Sequence, residues 1–223
     1  RGEVIDVVIV AERDLEGLPT RDLSSDDVSF HAMREYVPGD DMRHVHWKST
    51  ARTGTVMVRQ FEETRRSHTV VALSRSVADF AEPEEFELAV SVAGSLGLQA
   101  LRDARHLSVL VQGGNIKAST AKQFLDALSS LEGSRPRQGG LTELAAEVGQ
   151  KAKTASVVAL VCGSSVSAQQ LRDASRHLPF EARSIAIVCA PGTSPALRML
   201  GDTSVITIGE LGELRGALRR VLS

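Results

Sequence analysis

The feature that most constrains the fold is a regular alternation of apolar runs and helical segments from His68 to the end of the chain. The run at residues 156–162, SVVALVC, is continuously apolar, which is typical of a parallel strand that is buried on both faces. Strands alternating with helices predict a doubly wound, mostly parallel sheet. The fold class is therefore α/β over residues 67–223, with strands expected at 69–73, 107–111, 156–162, 184–189 and 204–208.

Segments with helical spacing of apolar residues separate these strands. The clearest of them begins at Pro83, because a proline and two acids in the first turn are typical of a helix N-terminus. A turn is predicted at 113–115 and a loop at 133–140. Further helices are predicted at 120–131, 141–152, 168–177 and 211–222.

Residues 1–66 are predicted to form a separate, β-rich N-terminal extension. Residues 3–11 read EVIDVVIVA, a strand pattern, and the polar residues 12–27 form a long loop that suits partner docking and plain mobility equally. Two further strands are expected at 28–33 and 55–61.

Charge and composition exclude several classes of protein. A formal net charge of -2 argues against nucleic-acid binding and against an anionic membrane surface. The chain has two cysteines, Cys162 and Cys189, which end apolar runs and are expected to be inert core thiols in a reducing compartment. No run approaches the roughly 20 apolar residues of a membrane span. Because the sequence begins with Arg1, it is expected to be a fragment whose missing part includes a membrane anchor.

The stretch from Arg34 to Glu62 holds the densest set of directional polar groups. It contains the only Trp and the only Tyr of the chain. Val37 to Asp41 is a turn by composition, and Asp40 or Asp41 is expected to cap a short helix that follows. The residues that stand out are Arg34, Glu35, Tyr36, Pro38, Gly39, Asp40, Arg43, His46, Trp47, Lys48, Ala51, Arg52, Val58 and Arg59.

This set of residues resembles the signature of the domain-of-unknown-function 58 family, and the α/β part resembles the degenerate von Willebrand factor A-type domain of that family. The resemblance covers essentially the whole chain. It implies a membrane-anchored protein whose A-type domain lies on the cytoplasmic side. It also implies an interaction or assembly role beside MoxR-type AAA+ ATPases, with no established reaction.

A-type domains are known for a metal-ion-dependent adhesion site with the pattern Asp-x-Ser-x-Ser after the first strand. Here Ser74 and Ser76 keep the serine positions, whereas Ala72 stands at the Asp position and Arg75 adds positive charge. Thr142 is the candidate for the threonine of the second loop, and the third loop, at Cys162 and Gly163, has no carboxylate. Hydroxyls alone compete poorly with water for Mg²⁺, so the sequence predicts a degenerate binding crevice at Ser74, Ser76 and Thr142 with no bound metal and no cofactor. Glu143 is the residue that would rescue a weak site.

A second cluster is formed by Asp40, Asp41, His44 and His46. Two acids and two histidines within seven positions are possible ligands of a transition metal or a general acid–base pair. The alternative is structural: Asp40 caps the turn, and Arg43, Lys48 and Arg52 pair with these acids and with Glu35. The structural interpretation is preferred, because histidines two positions apart on a helix point to different faces.

Two smaller features have a structural and a functional interpretation. Trp47 and Tyr36 are candidates for a partner-binding anchor, although Trp47 is expected to be the hydrophobic centre that ties the extension to the α/β domain. Gly163, Ser164 and Ser165 lie between a strand and a helix, which suits an anion site, although Ser164 or Ser165 is expected to cap the helix.

The sequence therefore predicts a non-enzymatic interaction module, the cytoplasmic part of a membrane-anchored protein, that works with a MoxR-type AAA+ ATPase. The alternative is a metal-dependent hydrolase that uses the Asp40, Asp41, His44 and His46 cluster.

Overall fold

The structure is a computed structural model that describes residues 4–5, 28–38, 40, 42–63, 67–117, 119–133 and 139–222. The chain divides into two compact units. The smaller unit is Leu15–Arg66, and the larger unit combines Arg1–Asp14 with Ser67–Ser223. One division between the two units falls between Arg66 and Ser67.

The larger unit is an α/β domain built on a mixed, mostly parallel sheet. The described strands of the larger unit number seven: β3 (His68–Leu73), β4 (His106–Val111), β5 (Gly114–Ile116), β6 (Val157–Gly163), β7 (Arg183–Cys189), β8 (Ala196–Leu200) and β9 (Thr203–Ile208). Their order across the sheet is β5-β4-β3-β6-β7-β9-β8. The inner pairs β3–β4, β3–β6, β6–β7 and β7–β9 are parallel, and the two outer pairs are antiparallel.

Helices cover both faces of this sheet. Alternate residues of the central strands enter two separate cores, so that Val71 and Val161 lie in one and Val70 and Leu160 in the other. The period of two along each strand explains this division. The helices of the larger unit are α2 (Pro83–Arg102), α3 (Ala121–Ser129), α4 (Leu141–Lys151), α5 (Ala168–Ser175) and α6 (Glu213–Leu222). The first core is covered by α2, α3 and α6, and the second by α4 and α5.

The α/β class and the mostly parallel sheet confirm the prediction from the alternating pattern. All residues of β6 are buried, as its continuous apolar run indicated. The sequence missed two strands, both at sheet edges. The predicted turn at 113–115 belongs to a hairpin in which β5 returns along β4, and β8 forms a similar hairpin with β9.

The smaller unit contains an antiparallel pair of strands and a short helix. Strand β1 (Val28–Glu35) pairs with β2 (Met57–Glu63), with a register shift between Phe30 and Ala32. A 3-10 turn at Met42–His44 and helix α1 (Trp47–Thr53) connect them. Val45 forms an isolated bridge to Val58, and both side chains are buried.

The predicted strand at 3–11 and loop at 12–27 lie almost wholly outside the described residues. Val4 and Ile5 are the exception, since both pack against the first core of the larger unit. The backbone N–H of Ile5 donates to Oγ of Ser95 on α2 at 3.1 Å. Within the described part of the chain, no helix has the length and hydropathy needed to cross a membrane.

Candidate functional site

Strand β3 brings Ser74 to the carboxyl edge of the sheet. The strand lies between β4 and β6, and just beyond its end the backbone N–H of Ser74 donates to the carbonyl of Val161 at 2.9 Å. The side chain of Ser74 is completely buried. Open α/β sheets bind ligands outside the carboxyl ends of their strands, so the candidate site begins here.

The Ser74 hydroxyl is the centre of a buried hydrogen-bond network. Its Oγ donates to Oδ2 of Asp79 at 2.5 Å. The same oxygen accepts from Nε2 of Gln112 at 2.9 Å and from the backbone N–H of Ser76 at 3.3 Å. A hydroxyl has one hydrogen and two lone pairs. The hydrogen and both lone pairs of the Ser74 hydroxyl are therefore used in hydrogen bonds within the protein.

Asp79 is the carboxylate of this network. It ends the 3-10 turn Val77–Asp79 and is 3% exposed. Burial raises the pKa of its carboxyl group, and the charge of Glu143 raises it further, while hydrogen bonds from Ser74 and from the backbone of Leu141 lower it. Burial beside a second acid disfavours the ionised form.

Asp79 also forms part of the wall of a crevice. Ser76 and Thr142, two of the three predicted binding residues, line the crevice as well, whereas Ser74 lies buried behind it. The complete lining is Ser76, Ala78, Asp79, Gly139, Gly140, Leu141, Thr142, Glu143 and Gln170. The crevice thus brings together two parts of the sequence that are more than 60 positions apart.

The start of α4 fixes the second wall of the crevice. Gly139 has φ +78°, a left-handed conformation that glycine adopts without strain. The N–H of Gly140 donates to Oε2 of Glu143 at 2.8 Å. A Cβ atom at Gly140 would lie 3.3 Å from Oδ1 of Asp79, so glycine permits this close approach of the backbone to the buried acid.

The positive charge of Arg75 is directed towards backbone oxygens. Its Nε donates to the carbonyl of Glu132 at 2.9 Å, and its Nη1 donates to the carbonyl of Gln112 at 3.4 Å. Among the described residues, no group of three or more His, Cys, Asp or Glu side chains is placed to hold a metal ion.

A second buried acid joins α2 to the end of β6. Glu85 is 5% exposed, and its Oε2 accepts from the backbone N–H groups of Ala81 and Ser164, each at 2.9 Å. The hydroxyl of Ser164 donates to Oε1 at 2.5 Å. The prediction that Ser164 or Ser165 caps the next helix is therefore wrong, because Ser167 is the N-cap of α5 and Ser164 is bonded to Glu85.

In the smaller unit, Asp40 is held by Arg34. The two guanidinium nitrogens donate to the two carboxylate oxygens at 2.7 Å each, and the N–H of Val37 donates to Oδ2 at 2.9 Å. These contacts lower the pKa of Asp40, the bond from Arg34 having the largest effect. Asp40 thus closes the turn as expected, but its partner is Arg34 rather than Arg43, Lys48 or Arg52.

Helix α1 is capped by His46 and not by Asp40 or Asp41. Nδ1 of His46 accepts from the N–H of Ser49 at 3.3 Å and lies 2.8 Å from its Oγ. Of the four residues in the proposed metal cluster, Asp40 and His46 are therefore engaged in local structure. Asp41 and the side chain of His44 lie outside the described residues, as does Gly39 of the motif.

Trp47 does not occupy the hydrophobic centre that the sequence predicts for it. Its side chain is 63% exposed. It is the first residue of α1, and none of the residues of that helix is buried. Tyr36 is half-buried, and Arg43, Lys48 and Arg52 are exposed. Within the smaller unit, Trp47 is therefore a surface residue and not a core residue.

Sequence reasoning missed Asp79, Glu85 and Gln112. Gln112 directly follows β4, whose carboxyl end lies beside that of β3. Because ligand sites lie outside the carboxyl ends of parallel strands, a polar residue at the end of a predicted strand was the signal that the sequence offered. Asp79 stands five positions after Ser74, and its signal was an acid within a short segment between a buried strand and a helix.

Comparison with known proteins gives one match. The family model described as "Protein of unknown function DUF58" matches residues 32–202, which include the Arg34–Glu62 stretch and most of the sheet. No curated protein and no solved structure matches the chain.

Proposed function

Because the chain belongs to the DUF58 family of proteins of unknown function, we propose that it is a non-enzymatic interaction module that binds a protein partner at the Ser76–Thr142 crevice. The observation that carries the proposal is the saturated Ser74 hydroxyl. An adhesion-site serine offers a lone pair to a divalent cation, but both lone pairs of Ser74 accept hydrogen bonds from Gln112 and Ser76. This supports a degenerate von Willebrand factor A-like site.

The crevice retains features that suit recognition of a protein. It lies at the carboxyl edge of a rigid sheet, and its lining combines hydroxyls, carboxylates and an amide. Asp79 is 3% exposed, and burial raises the pKa of its carboxyl group; buried acids with a raised pKa are common at functional sites. The class of partner comes from the family resemblance: a MoxR-type AAA+ ATPase.

The resemblance also supplies the proposed location. We place the module on the cytoplasmic side of the cell membrane, attached through a segment outside these residues. Neither nucleic acid nor a lipid surface is a proposed partner, in keeping with the net charge of -2.

The test is affinity capture from an extract of the source cells, followed by identification of the bound proteins by mass spectrometry. Thr142→Arg would fill the crevice from its α4 wall. The matched control is Gln123→Arg, which adds the same side chain to an exposed position on α3. Circular dichroism and thermal unfolding would establish that each variant is folded.

We expect the unmodified protein and Gln123→Arg to capture an AAA+ ATPase, and Thr142→Arg to lose at least nine-tenths of it (about 1.4 kcal/mol or more). Capture without any AAA+ ATPase would refute the choice of partner. Equal capture by Thr142→Arg would refute the choice of surface.

The competing hypothesis is a metal-dependent hydrolase that uses Asp40, Asp41, His44 and His46. Its test is the metal content of the purified protein, measured by plasma mass spectrometry after incubation with Mg²⁺, Mn²⁺ or Zn²⁺. A stoichiometric metal that disappears in Asp40→Ala, but not in Asp79→Ala, would favour the hydrolase over the interaction module.

A further inference from the structure

Strand β8 ends the sheet with an exposed edge. It pairs with β9 on one side, and among the described strands it is the last in the order of the sheet. Ala196 to Met199 are all exposed, and only Leu200 is half-buried. The outward-facing N–H and C=O groups of an edge strand are able to form hydrogen bonds with an added strand.

The two faces of β8 differ in chemistry. Leu197 and Met199 are 43% and 63% exposed. Leu197 pairs with Ile206, which belongs to the core covered by α6, whereas Arg198 pairs with Val205 of the opposite core. One face of the edge is therefore apolar, and the other carries a positive charge.

A groove continues the apolar face between β8 and α6. Its lining includes Leu197, Gly212, Gly216, Ala217 and Arg220. A Cβ atom added at Gly212 or at Gly216 would meet no atom within 4 Å. Gly212, just before α6, and Gly216, in its first turn, therefore leave open space beside Leu197 that we call the notch.

We propose that the β8 edge, together with the notch at Gly212 and Gly216, binds an extended segment of another protein that alternates apolar and acidic residues. The segment adds a strand to the sheet through backbone hydrogen bonds. Its apolar side chains lie against Leu197 and enter the notch, and its acidic side chains lie on the opposite face beside Arg198.

Pairing with a second copy of the same chain is disfavoured by charge. An antiparallel pair of β8 strands that keeps all five residues in register is centred on Arg198. That arrangement places Arg198 directly opposite its own counterpart, and like charges directly opposite each other destabilise a strand pair. An acid at the same position is attracted instead.

This surface is separate from the Ser76–Thr142 crevice. Four strand-to-strand steps lie between β3 and β8, which is about 19 Å at ~4.8 Å per step. The inference stands independently of the proposed function, because the two surfaces are tested by different variants.

The test uses two fluorescently labelled peptides and the full chain. One peptide is Ser-Val-Glu-Val-Glu-Val-Ser, and the other has Lys in place of each Glu. Binding is measured by fluorescence anisotropy, and hydrogen exchange with mass spectrometry follows residues 196–200. We expect the Glu peptide to bind at least tenfold more tightly than the Lys peptide and to slow exchange in β8.

Two variants and one control decide the result. Arg198→Glu should reverse the preference between the peptides, and Gly216→Leu should weaken binding of the Glu peptide at least tenfold by filling the notch. Lys122→Glu makes the same charge change on α3, at the opposite edge of the sheet, and should change nothing.

Three outcomes would overturn the proposal. The first is that neither peptide binds at millimolar concentration. The second is that Arg198→Glu binds both peptides as the unmodified protein does. The third is a dimer in analytical ultracentrifugation whose interface protects β8, which would assign the edge to a second copy.

Discussion

At the residue scale, the candidate site depends on polar groups whose partners are all internal. Ser74 bonds to Asp79 and Gln112, and Glu85 bonds to Ser164. Buried polar groups cost free energy unless they are satisfied, and in both cases serine hydroxyls and backbone N–H groups satisfy an acid. The site is consequently rigid before any partner binds.

Asp79→Asn should raise the stability of the protein at neutral pH. The folded state holds the pKa of Asp79 above its ordinary value of 3.8, so ionisation at pH 7 favours the unfolded chain. Asparagine removes that penalty and still offers an oxygen to Ser74. Thermal unfolding at pH 7 should show a higher melting temperature for the variant. The difference should shrink as the pH falls through the folded pKa, because the native carboxyl group is then neutral. Equal melting temperatures at pH 7 would contradict the assignment.

His68 should make the protein less stable in acid. Burial, followed by the charge of His106, lowers the pKa of His68 from 6.5 to about 4. Between these two values the unfolded chain takes up a proton that the folded state does not bind, so stability falls as the pH falls. Urea denaturation should show that His68→Gln loses less stability than the unmodified protein between pH 7 and pH 4.5. The matched control, His177→Gln, changes an exposed histidine and should follow the unmodified protein.

At the element scale, Glu85 connects the first turn of α2 to the end of β6. Glycine at position 163 leaves room for this contact, since a Cβ atom there would lie 2.5 Å from Oε2 of Glu85. Helix α2 also packs against the buried face of the sheet. The contact therefore holds the first turn of α2 against the segment that follows β6.

Glu85→Ala should destabilise the protein by about 2–3 kcal/mol, because it leaves the N–H groups of Ala81 and Ser164 without their charged acceptor. Chemical denaturation measures this loss. The control Glu84→Ala removes an exposed acid from the same turn and should change stability by no more than about 0.5 kcal/mol. Equal losses in the two variants would mean that the helix dipole, rather than the contact with Ser164, is responsible.

The elements that the sequence predicted are those with an apolar signature of their own. Strand β6 and helix α2 bury most of their residues, so their patterns are strong. Strand β8 buries none of its residues completely, and its pairing depends on β9 rather than on its composition. The Glu85–Ser164 contact joins residues 79 positions apart, a distance at which no local pattern operates. The exposure of Trp47 was missed for the opposite reason, because a large aromatic residue is usually assigned to a core.

At the scale of the whole molecule, the two units differ in how much they bury. The larger unit has two cores that share a sheet of seven described strands. Among the residues of the smaller unit whose side chains are described, 33–38, 40, 42–43 and 45–58, Val45 and Val58 are the buried ones, and the described strands of this unit form a two-stranded pair. Such a pair is only marginally stable by itself.

Amide hydrogen exchange should separate the units. Amides of β1 and β2 should exchange at least about tenfold faster than those of β3 and β6, because local opening of a small unit requires less free energy than unfolding of a large core. Mass spectrometry of peptides from residues 28–35 and 68–73 measures the two rates. Comparable protection would mean that the smaller unit draws its stability from contacts beyond its own strands.

The contact between Ile5 and Ser95 also has a consequence for synthesis of the chain. The two residues are 90 positions apart, so at a ribosomal rate of 5–20 residues per second the partner of Ile5 is made about 5–20 seconds later. The smaller unit, Leu15–Arg66, is completed within that interval. During translation, Val4 and Ile5 therefore wait for this interval before the helix that they pack against in the folded protein has been made.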